Sequence, residues 1–471
     1  MILQFFEKYR NILSLKPFET TTPEGRANER YRRVGLSAIA SAFAKGVTMV
    51  TALVSVPLTL GYLGAERYGL WIAISSTIAM LSFADLGMGN GLLNMITEAH
   101  GKDDRPLAKQ YVSSAFFMLT GIALLLGVLF AILLPHISWK WLFNISTTAG
   151  VSAAGPSVAA FLGIFLVNIP LGIVQRIQKG YQEEYISSLW QAAGNIIALL
   201  CVLIAIWLKA ELPWLVLAMA GAPAFATVIN GLILFLFKRP WLLPSFRSVS
   251  LYACQRVFRT GLLFFALQVA IAVGYQSDNL LISHFMGASS VPEYSIPMKL
   301  FAQVPLLLSF VIGPLWQAYG EAINRKDFEW VRKTFIRSIK LALAANVSTS
   351  IILLFCTNFI IHLWVGPKIT ASFLFLIGMA LWTSINSLSG PFAMLMNGAN
   401  VIGIQVVCAL SMAAANIGIS IFLVQKIGYP GPVFGNVISW TVFAMFPFIF
   451  YIRHMFATWR TQTDTAIATP D

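Results

Sequence analysis

Twelve long apolar runs limit what this chain can fold into. Each has roughly the ~20 residues that an α-helix needs to cross the hydrocarbon of a bilayer. Only 11% of the residues are charged, whereas soluble domains carry about 25%. The sequence therefore predicts an all-α integral membrane protein with about 12 transmembrane helices. The runs span residues 36–61, 68–95, 108–135, 152–176, 185–208, 212–237, 260–286, 293–319, 335–362, 370–397, 402–425 and 432–456.

Two landmarks in the first half of the chain return in the second half at nearly the same spacing. The turn Leu63-Gly64-Ala65 matches Met286-Gly287-Ala288, and the loop Lys102-Asp103 matches Lys326-Asp327. The offsets are 223 and 224 positions. Two landmarks that keep almost the same offset are hard to obtain from unrelated helices. We therefore predict two six-helix bundles related as an internal repeat.

The repeat and the charged stretches divide the chain into five predicted segments. The longest connection between apolar runs carries Pro240, Pro244 and five basic residues, which is typical of a linker between bundles. The predicted segments are a cytoplasmic N-terminal segment at 1–35, a first bundle at 36–237, the cytoplasmic linker at 238–259, a second bundle at 260–457 and a cytoplasmic tail at 458–471.

The basic residues are distributed unevenly between the two ends of the predicted helices. The chain has 32 Lys and Arg residues against 19 Asp and Glu residues. Of the bases between helices, 23 lie at one end and 5 at the other. The positive-inside rule then places both termini in the cytoplasm, in a multi-pass protein of the inner membrane. The charge therefore indicates membrane lipids as partners and not nucleic acid.

Paired acids are the one pattern that points toward an enzyme. Asp103-Asp104 and Glu183-Glu184 resemble the carboxylate pairs of glycoside hydrolysis. Both pairs lie in short basic loops, which is typical of solvated loop charge. The sequence has no zinc-protease helix motif and no phosphate-binding glycine loop. It therefore predicts a protein without catalytic residues, metal or cofactor.

Four charged residues lie well inside apolar runs, away from their ends, where a charge costs several kcal/mol unless it faces a partner or water. They are Lys45, Asp85, Asp278 and Lys299. Each of the two matching hairpins carries one lysine and one acid at a similar depth. One interpretation makes them ion pairs within the hairpins. The other makes the lysines ligands of an anionic substrate and makes Asp278, with Asp85 as a second candidate, an ion-coupling group.

Amide side chains cluster in the seventh and eighth predicted helices. They suit an aqueous cleft that accepts sugar hydroxyls, although hydrogen bonds between helices are the more common use of such side chains. The substrate-binding candidates among them are Gln268, Gln276, Asn279 and Gln303.

Three stretches resemble a known family. The first runs from Val56-Pro57-Leu58 through Gly64 and Tyr68-Gly69-Leu70-Trp71 to Asp85-Leu86-Gly87-Met88-Gly89. The others are Ser277-Asp278-Asn279-Leu280-Leu281-Ile282 and Gln178-Lys179-Gly180-Tyr181. Together they are similar to bacterial polysaccharide flippases. These are the O-antigen and exopolysaccharide translocases of the multidrug/oligosaccharidyl-lipid/polysaccharide exporter superfamily.

The resemblance implies an architecture and a substrate. It implies two six-helix bundles around a V-shaped cleft that alternates between inward-open and outward-open states. The implied substrate is a polyprenyl-pyrophosphate-linked oligosaccharide, moved to the outer leaflet. The resemblance also implies a cationic cavity that holds the pyrophosphate and sugars, and Lys45 and Lys299 are the residues here that could supply its charge. A polysaccharide polymerase and glycosyltransferases are the implied further partners.

Two other functions stay open at this point. A cation-coupled drug or metabolite exporter of the same superfamily would use a buried acid such as Asp278. A membrane polymerase or glycosyltransferase would need a large loop with clustered acids or arginines, and the sequence has no such loop. We therefore expect a flippase, with the exporter as the alternative.

Overall fold

The chain is built from α-helices joined by short connections. A computed structural model describes residues 16–80, 83–139, 148–286, 291–365 and 370–468, and these residues contain no strand. The helices are α1 Pro23–Met80, α2 Met88–Gly101, α3 Arg105–Leu133, α4 Thr148–Gly180, α5 Glu184–Trp207, α6 Leu212–Val216, α7 Ala222–Leu232, α8 Leu251–Met286, α9 Val291–Phe301, α10 Gln303–Ile312, α11 Leu315–Asn324, α12 Phe328–Val365, α13 Phe373–Asn386, α14 Ser389–Gly398, α15 Gly403–Ile427, α16 Gly431–Trp440 and α17 Phe446–Ala468. Short π-helical segments span Leu217–Gly221, Ile233–Lys238 and Thr441–Met445.

The predicted membrane spans reappear as helices. Within the described ranges, ten segments are long and apolar enough to cross a membrane. The other two predicted runs are 260–286, which lies in α8, and 68–95, which is interrupted where Leu86 and Gly87 adopt positive φ before α2. The prediction of an all-α fold with about twelve membrane helices is therefore confirmed. The chain is a multi-pass membrane protein.

Two further runs predicted as continuous helices are also broken in the structure. Run 293–319 becomes α9, α10 and α11, and run 370–397 becomes α13 and α14. Pro314 precedes α11 and offers no backbone N–H, so α10 ends at Ile312. In a membrane such breaks are tolerated where the freed backbone groups find partners inside the protein. The Gly313 N–H still donates to the Ser309 carbonyl at 2.8 Å.

The chain divides into two compact units, residues 1–262 and 263–471, and the boundary falls inside α8. The core of the first unit is formed by buried apolar faces of α2, α3 and α4. The segment predicted as a linker packs within this unit. The backbone N–H groups of Ser245 and Ser250 donate to the hydroxyls of Ser113 and Ser114 at 3.1 and 3.2 Å.

The internal repeat is visible in how helices end. Asp103, Gln182 and Lys209 have positive φ one or two residues beyond α2, α4 and α5. Each has a positive-φ counterpart about 220 positions later, at Lys326, Asn400 and Gly428. At Asp103, Gln182, Lys209, Lys326 and Asn400 the helix closes with the paired backbone hydrogen bonds of a Schellman motif. The predicted internal repeat is therefore confirmed at the level of the backbone.

The two predicted outer turns differ in what the structure describes. Gly64 interrupts α1 with φ 74° and ψ 168°, a conformation that glycine adopts without a steric penalty. The turn predicted at Leu63-Gly64-Ala65 is therefore confirmed. The matching turn at Gly287-Ala288 lies outside the described residues.

Two glycines at equivalent places in the repeat bring helices into close contact. Gly180 ends α4 and Gly398 ends α14. A Cβ on Gly180 would lie 2.5 Å from the Ile96 Cγ2 atom of α2. A Cβ on Gly398 would lie 2.8 Å from the Trp316 carbonyl oxygen of α11. The second contact is with backbone, which cannot move aside as a side chain can.

We predict that Gly398→Ala destabilises the protein by about 1–3 kcal/mol, because the added methyl group overpacks a backbone contact. Thermal unfolding of the purified protein in one detergent measures the change. Gly418→Ala is the matched control, since Gly418 lies in the interior of α15 with nothing within 4 Å of the added Cβ. Its melting temperature should stay equal or rise. Equal melting temperatures for the two variants would contradict the packing argument.

Candidate functional site

A buried carboxylate lies at the centre of a polar network in the second unit. The Asp278 side chain belongs to α8 and is fully buried. Its Oδ2 atom accepts a hydrogen bond from the Tyr294 hydroxyl of α9 at 2.6 Å. The same atom accepts a second hydrogen bond from the Asn436 Nδ2 atom of α16, also at 2.6 Å. Two donors on one oxygen stabilise a carboxylate in a place that excludes water.

The network continues from α16 into α15. The Asn416 Nδ2 atom donates to Asn436 Oδ1 at 2.9 Å and approaches Ser439 Oγ at 3.4 Å. At most 1% of the surface is exposed in each of Asn416, Asn436 and Ser439. Four helices, α8, α9, α15 and α16, therefore contribute polar side chains to one chain of hydrogen bonds inside the apolar part of the protein.

Several oxygen atoms of this region have no hydrogen-bond partner among the described residues. They are Asp278 Oδ1, Asn416 Oδ1 and Ser420 Oγ. Ser420 faces α16 closely, since a Cβ on Gly435 would lie 2.2 Å from its hydroxyl. A buried unpaired polar atom destabilises the fold by about 1–3 kcal/mol. Carboxylate, amide and hydroxyl oxygens are ligands of hard cations, and a carboxylate also binds a proton.

Asp85, the other predicted ion-coupling candidate, has a different environment. Its Oδ1 and Oδ2 atoms accept hydrogen bonds from the N–H groups of Gly87 and Gly89 at 2.9 and 3.2 Å. These contacts stabilise the first turn of α2, where negative charge is favourable. The Arg176 guanidinium lies beside Gly89 and donates to Asn90 Oδ1 at 2.7 Å. Both oxygens of Asp85 are thus occupied by backbone donors, whereas Asp278 keeps one without a partner.

Lys45 is exposed on α1 and lies beside a polar strip. Ser41 Oγ is 3.1 Å from Ser188 Oγ of α5, and Asn195 Nδ2 donates to Thr48 Oγ1 at 2.8 Å. Lys45 lies one turn from both Ser41 and Thr48, so the three side chains share one face of α1. Lys45 forms no ion pair with any residue that the structure describes.

Lys299 is exposed on α9, and Gln303 follows it one turn later. The Gln303 Nε2 atom donates to the Lys299 carbonyl at 2.9 Å. In the described part of the chain Lys299 has no carboxylate partner, and the groups bonded to Asp278 are Tyr294 and Asn436. Gln268 of α8 is half-buried. The side chains of Gln276 and Asn279 lie outside what the structure describes.

A comparison with family profiles identifies the chain. The profile described as "Polysaccharide biosynthesis protein" matches residues 35–315, more than half of the chain. The chain belongs to the polysaccharide biosynthesis protein family. The resemblance predicted from Val56–Gly89 and from the Asp278 segment is therefore confirmed.

Relatives of this family member are similar at low identity. The "Putative O-antigen transporter" of Salmonella typhi is 25% identical over 59% of this chain and 62% of its own length. The "Putative O-antigen export protein" of Yersinia pseudotuberculosis is 22% identical over 71% of this chain and 77% of its own length. The chain thus matches less than two thirds of the Salmonella typhi protein.

A solved structure shares the fold of this family member. It shows the outward-facing conformation of a multidrug resistance MATE family transporter of the MOP superfamily. The TM-score is 0.73, with 15% identity, and the match covers 91% of this chain and 96% of that one. At this identity the likeness establishes the fold alone.

In this member of the polysaccharide biosynthesis family, the two partners of Asp278, Tyr294 and Asn436, and the next residue of the network, Asn416, are not predicted from the sequence. Asn436 and Asn416 lie outside the seventh and eighth predicted helices, to which the amide candidates belong, and Tyr294 is one of many aromatic residues in apolar runs. A signal did exist in the sequence. Asn416 with Ser420, and Asn436 with Ser439, repeat at helical spacing inside apolar runs, which places each pair on one helix face.

We predict that Asp278→Asn keeps the fold of this family member. The asparagine oxygen can accept from both Tyr294 and Asn436, so the substitution removes the charge and retains both hydrogen bonds. Asp278→Leu should instead destabilise by about 2–3 kcal/mol, because two buried donors lose their acceptor. Thermal unfolding of both variants in one detergent and one buffer measures the difference. An equal loss in both variants would show that charge, and not hydrogen bonding, stabilises this network.

Proposed function

We propose that this protein is a flippase of the cytoplasmic membrane for surface polysaccharide biosynthesis. It moves a polyprenyl-pyrophosphate-linked oligosaccharide to the outer leaflet by alternating access, with both termini in the cytoplasm. It acts as a transporter without catalytic residues, and the polymerase and glycosyltransferases of the pathway supply and consume its substrate. The observation that carries the proposal is family membership combined with two relatives named for O-antigen export.

The physical problem is the polar headgroup. Every sugar hydroxyl and the pyrophosphate lose water on entering hydrocarbon, at a cost of several kcal/mol for each unsatisfied group. A polar path through the protein replaces those contacts while the prenyl chain stays in the lipid. The exposed Lys45 beside the Ser41 and Thr48 strip supports such a path in the first unit. Lys299, exposed on α9, and Gln303, exposed at the start of α10, support it in the second.

We assign the remaining substrate contacts to amides, as the sequence predicts. Gln268 is a half-buried member of this set, and Gln276 and Asn279 complete it on α8. Amide groups donate and accept hydrogen bonds at once, which suits hydroxyl groups that do the same. Asp278 binds the coupling cation or proton, since one of its oxygens has no partner among the described residues, and Asn416, which is linked to Asp278 through Asn436, also has an oxygen without one.

A second candidate function is a cation-coupled drug or metabolite exporter. It is supported by the shared fold with a multidrug resistance transporter and by the buried Asp278 network. The two functions differ in what the exposed lysines contact. A flippase uses Lys45 and Lys299 to bind the pyrophosphate. In an exporter of lipophilic cations, the positive charges of the two lysines would repel the substrate.

We predict that Lys45→Gln and Lys299→Gln each reduce surface polysaccharide. Loss of one charge-assisted contact weakens pyrophosphate binding by roughly 1.5–3 kcal/mol, or about tenfold to a hundredfold. The measurement is surface polysaccharide in cells that lack the native protein, at matched levels of each variant. Lys426→Gln is the control, because Lys426 is exposed at the end of α15. Undiminished export in both test variants would refute the proposal that Lys45 and Lys299 bind the pyrophosphate.

We predict that Asp278→Asn abolishes cation-dependent stabilisation. A ligand present at about 100 times its dissociation constant stabilises the folded state by about 2.7 kcal/mol. Melting temperatures are measured with sodium against choline, and over a pH series. The control is Glu329→Gln, an exposed acid of the same unit outside the network. Shifts of equal size in wild type and Asp278→Asn would exclude Asp278 as the coupling group.

A further inference from the structure

In the first unit, the segment that follows α7 folds back onto the side of α3. The Ser245 N–H donates to the Ser113 hydroxyl at 3.1 Å. One turn later on α3, the Phe117 ring has its centre 4.2 Å from that of the Phe246 ring. Ser113 is fully buried. This part of the α3 surface is therefore covered by protein.

The equivalent surface of the second unit is open. Asp104 and Asp327 begin α3 and α12 by accepting from the backbone N–H three residues later, and they lie 223 positions apart. At this offset the counterparts of Lys109, Ser113 and Phe117 are Arg332, Ile336 and Lys340. All three counterparts are exposed. The chain after the last membrane span continues as helix α17 and leaves this face of α12 uncovered over the described residues.

Helix α17 lies beside α12 and runs in the opposite direction. Phe328 stacks on Trp459, with ring centres 4.8 Å apart. The Phe335 ring centre lies 5.8 Å from that of Phe456. Residue numbers rise along α12 while they fall along α17, so the two helices are antiparallel. Their inner ends meet through these four rings.

Three bases surround Ile336 on the exposed side of this helix pair. Arg332, Ile336 and Lys340 follow one another at intervals of four residues and share one face of α12. Side chains of a helix lean toward its N-terminus, so Lys340 reaches toward Ile336. Arg453 precedes Phe456 by three residues, which places it about level with Ile336 and on the same side of the pair. Arg453 is exposed as well.

None of these three bases forms an ion pair within the described ranges. The acids at this end of the unit are engaged elsewhere, Glu329 by Lys333 and Glu321 by Arg325. Arg337, another exposed base of α12, already has an interaction partner and is not counted among the three. The surface around Ile336 is therefore positive. A phosphate accepts hydrogen bonds from several such bases at once.

The same exposed side becomes apolar farther along both helices. Phe450 and Phe446 precede Arg453 at helical spacing on α17 and are 80% and 58% exposed. On α12 the exposed Val347 follows Lys340 by two turns. In a membrane such side chains contact acyl chains. The ligand that fits this surface therefore has an anionic head and apolar chains.

We propose that the exposed surface formed by α12 and α17 binds an anionic phospholipid. The phosphate lies over Ile336, within reach of Arg332, Lys340 and Arg453, and an acyl chain lies along Phe450. The lipid covers in the second unit the surface that a protein segment covers in the first. The proposal is independent of the transported substrate, because none of the residues assigned above to transport lies on this surface.

Native mass spectrometry of the full-length protein tests the nature of the ligand. Phosphatidylglycerol and phosphatidylcholine with the same acyl chains are added separately at equal concentration, with glycerophosphoglycerol as the soluble probe. Phosphatidylglycerol should bind most tightly, because phosphatidylcholine has no net charge and the soluble probe has no acyl chains. Equal binding of either would overturn the proposal. Displacement of phosphatidylglycerol by an equal concentration of polyprenyl phosphate would also overturn it, since the surface would then bind the substrate class.

Variants locate the binding. Arg332→Gln combined with Arg453→Gln should weaken phosphatidylglycerol binding about thirtyfold. Lys340→Gln alone serves if the double variant fails to fold. Lys333→Gln is the matched control, because it removes a base from another face of α12, and it should bind as wild type does. Unchanged affinity in the folded test variant would reject this surface as the site.

A charge placed between the bases tests the position of the phosphate without removing any of them. Ile336→Glu should weaken phosphatidylglycerol binding, because a carboxylate would then lie where the phosphate binds. Ile336→Gln is similar in size and uncharged, so it should retain most of the affinity. Equal affinities of these two variants would contradict the placement of the phosphate over Ile336.

Discussion

The structure depends on one constraint: in hydrocarbon, backbone polar groups must find partners inside the protein. Helices satisfy this along their length but leave carbonyls free at their ends. In the described residues, five of those ends close in the same way, with a positive-φ residue that donates, together with the residue after it, backbone hydrogen bonds to the last turn. Asp103 and Lys326 hold equivalent places in the two halves, as do Gln182 and Asn400. The two halves therefore agree most clearly at helix ends, where backbone carbonyl groups would otherwise lack hydrogen-bond partners.

Asp278 is an acidic side chain buried in a region where apolar side chains are more favourable. A hydrophobic side chain at this position would need neither Tyr294 nor the amides of α15 and α16. The protein instead surrounds a carboxylate with donors on one oxygen and leaves the other oxygen without a partner among the described residues. In Asp85, by contrast, backbone N–H groups engage both oxygens. The two acids therefore differ in what their oxygens contact.

The sequence predicted the membrane class, the approximate number of helices and the repeat, because each rests on periodic or local signals. It also singled out Asp278 and Lys299, because a charge inside an apolar run is conspicuous. It did not predict the breaks at Gly313-Pro314 and at Ser387-Leu388, since apolar runs look alike whether straight or broken. It did not predict the Asn436 contact either. That residue lies 158 positions from Asp278, and only the packing of α8 against α16 brings the two side chains together.

The two halves share a backbone but differ in chemistry. Gly180 and Gly398 keep the same close helix contact on both sides of the repeat. The position that corresponds to Asp278 at the offset of the first turn is Ser55, whose hydroxyl donates to the Ala52 carbonyl of its own helix. A duplicated fold thus preserves the features that close helices in lipid and allows the polar interior to diverge. Side chains that the two halves share maintain the fold. Function in such a protein must therefore be inferred from the positions at which the halves differ.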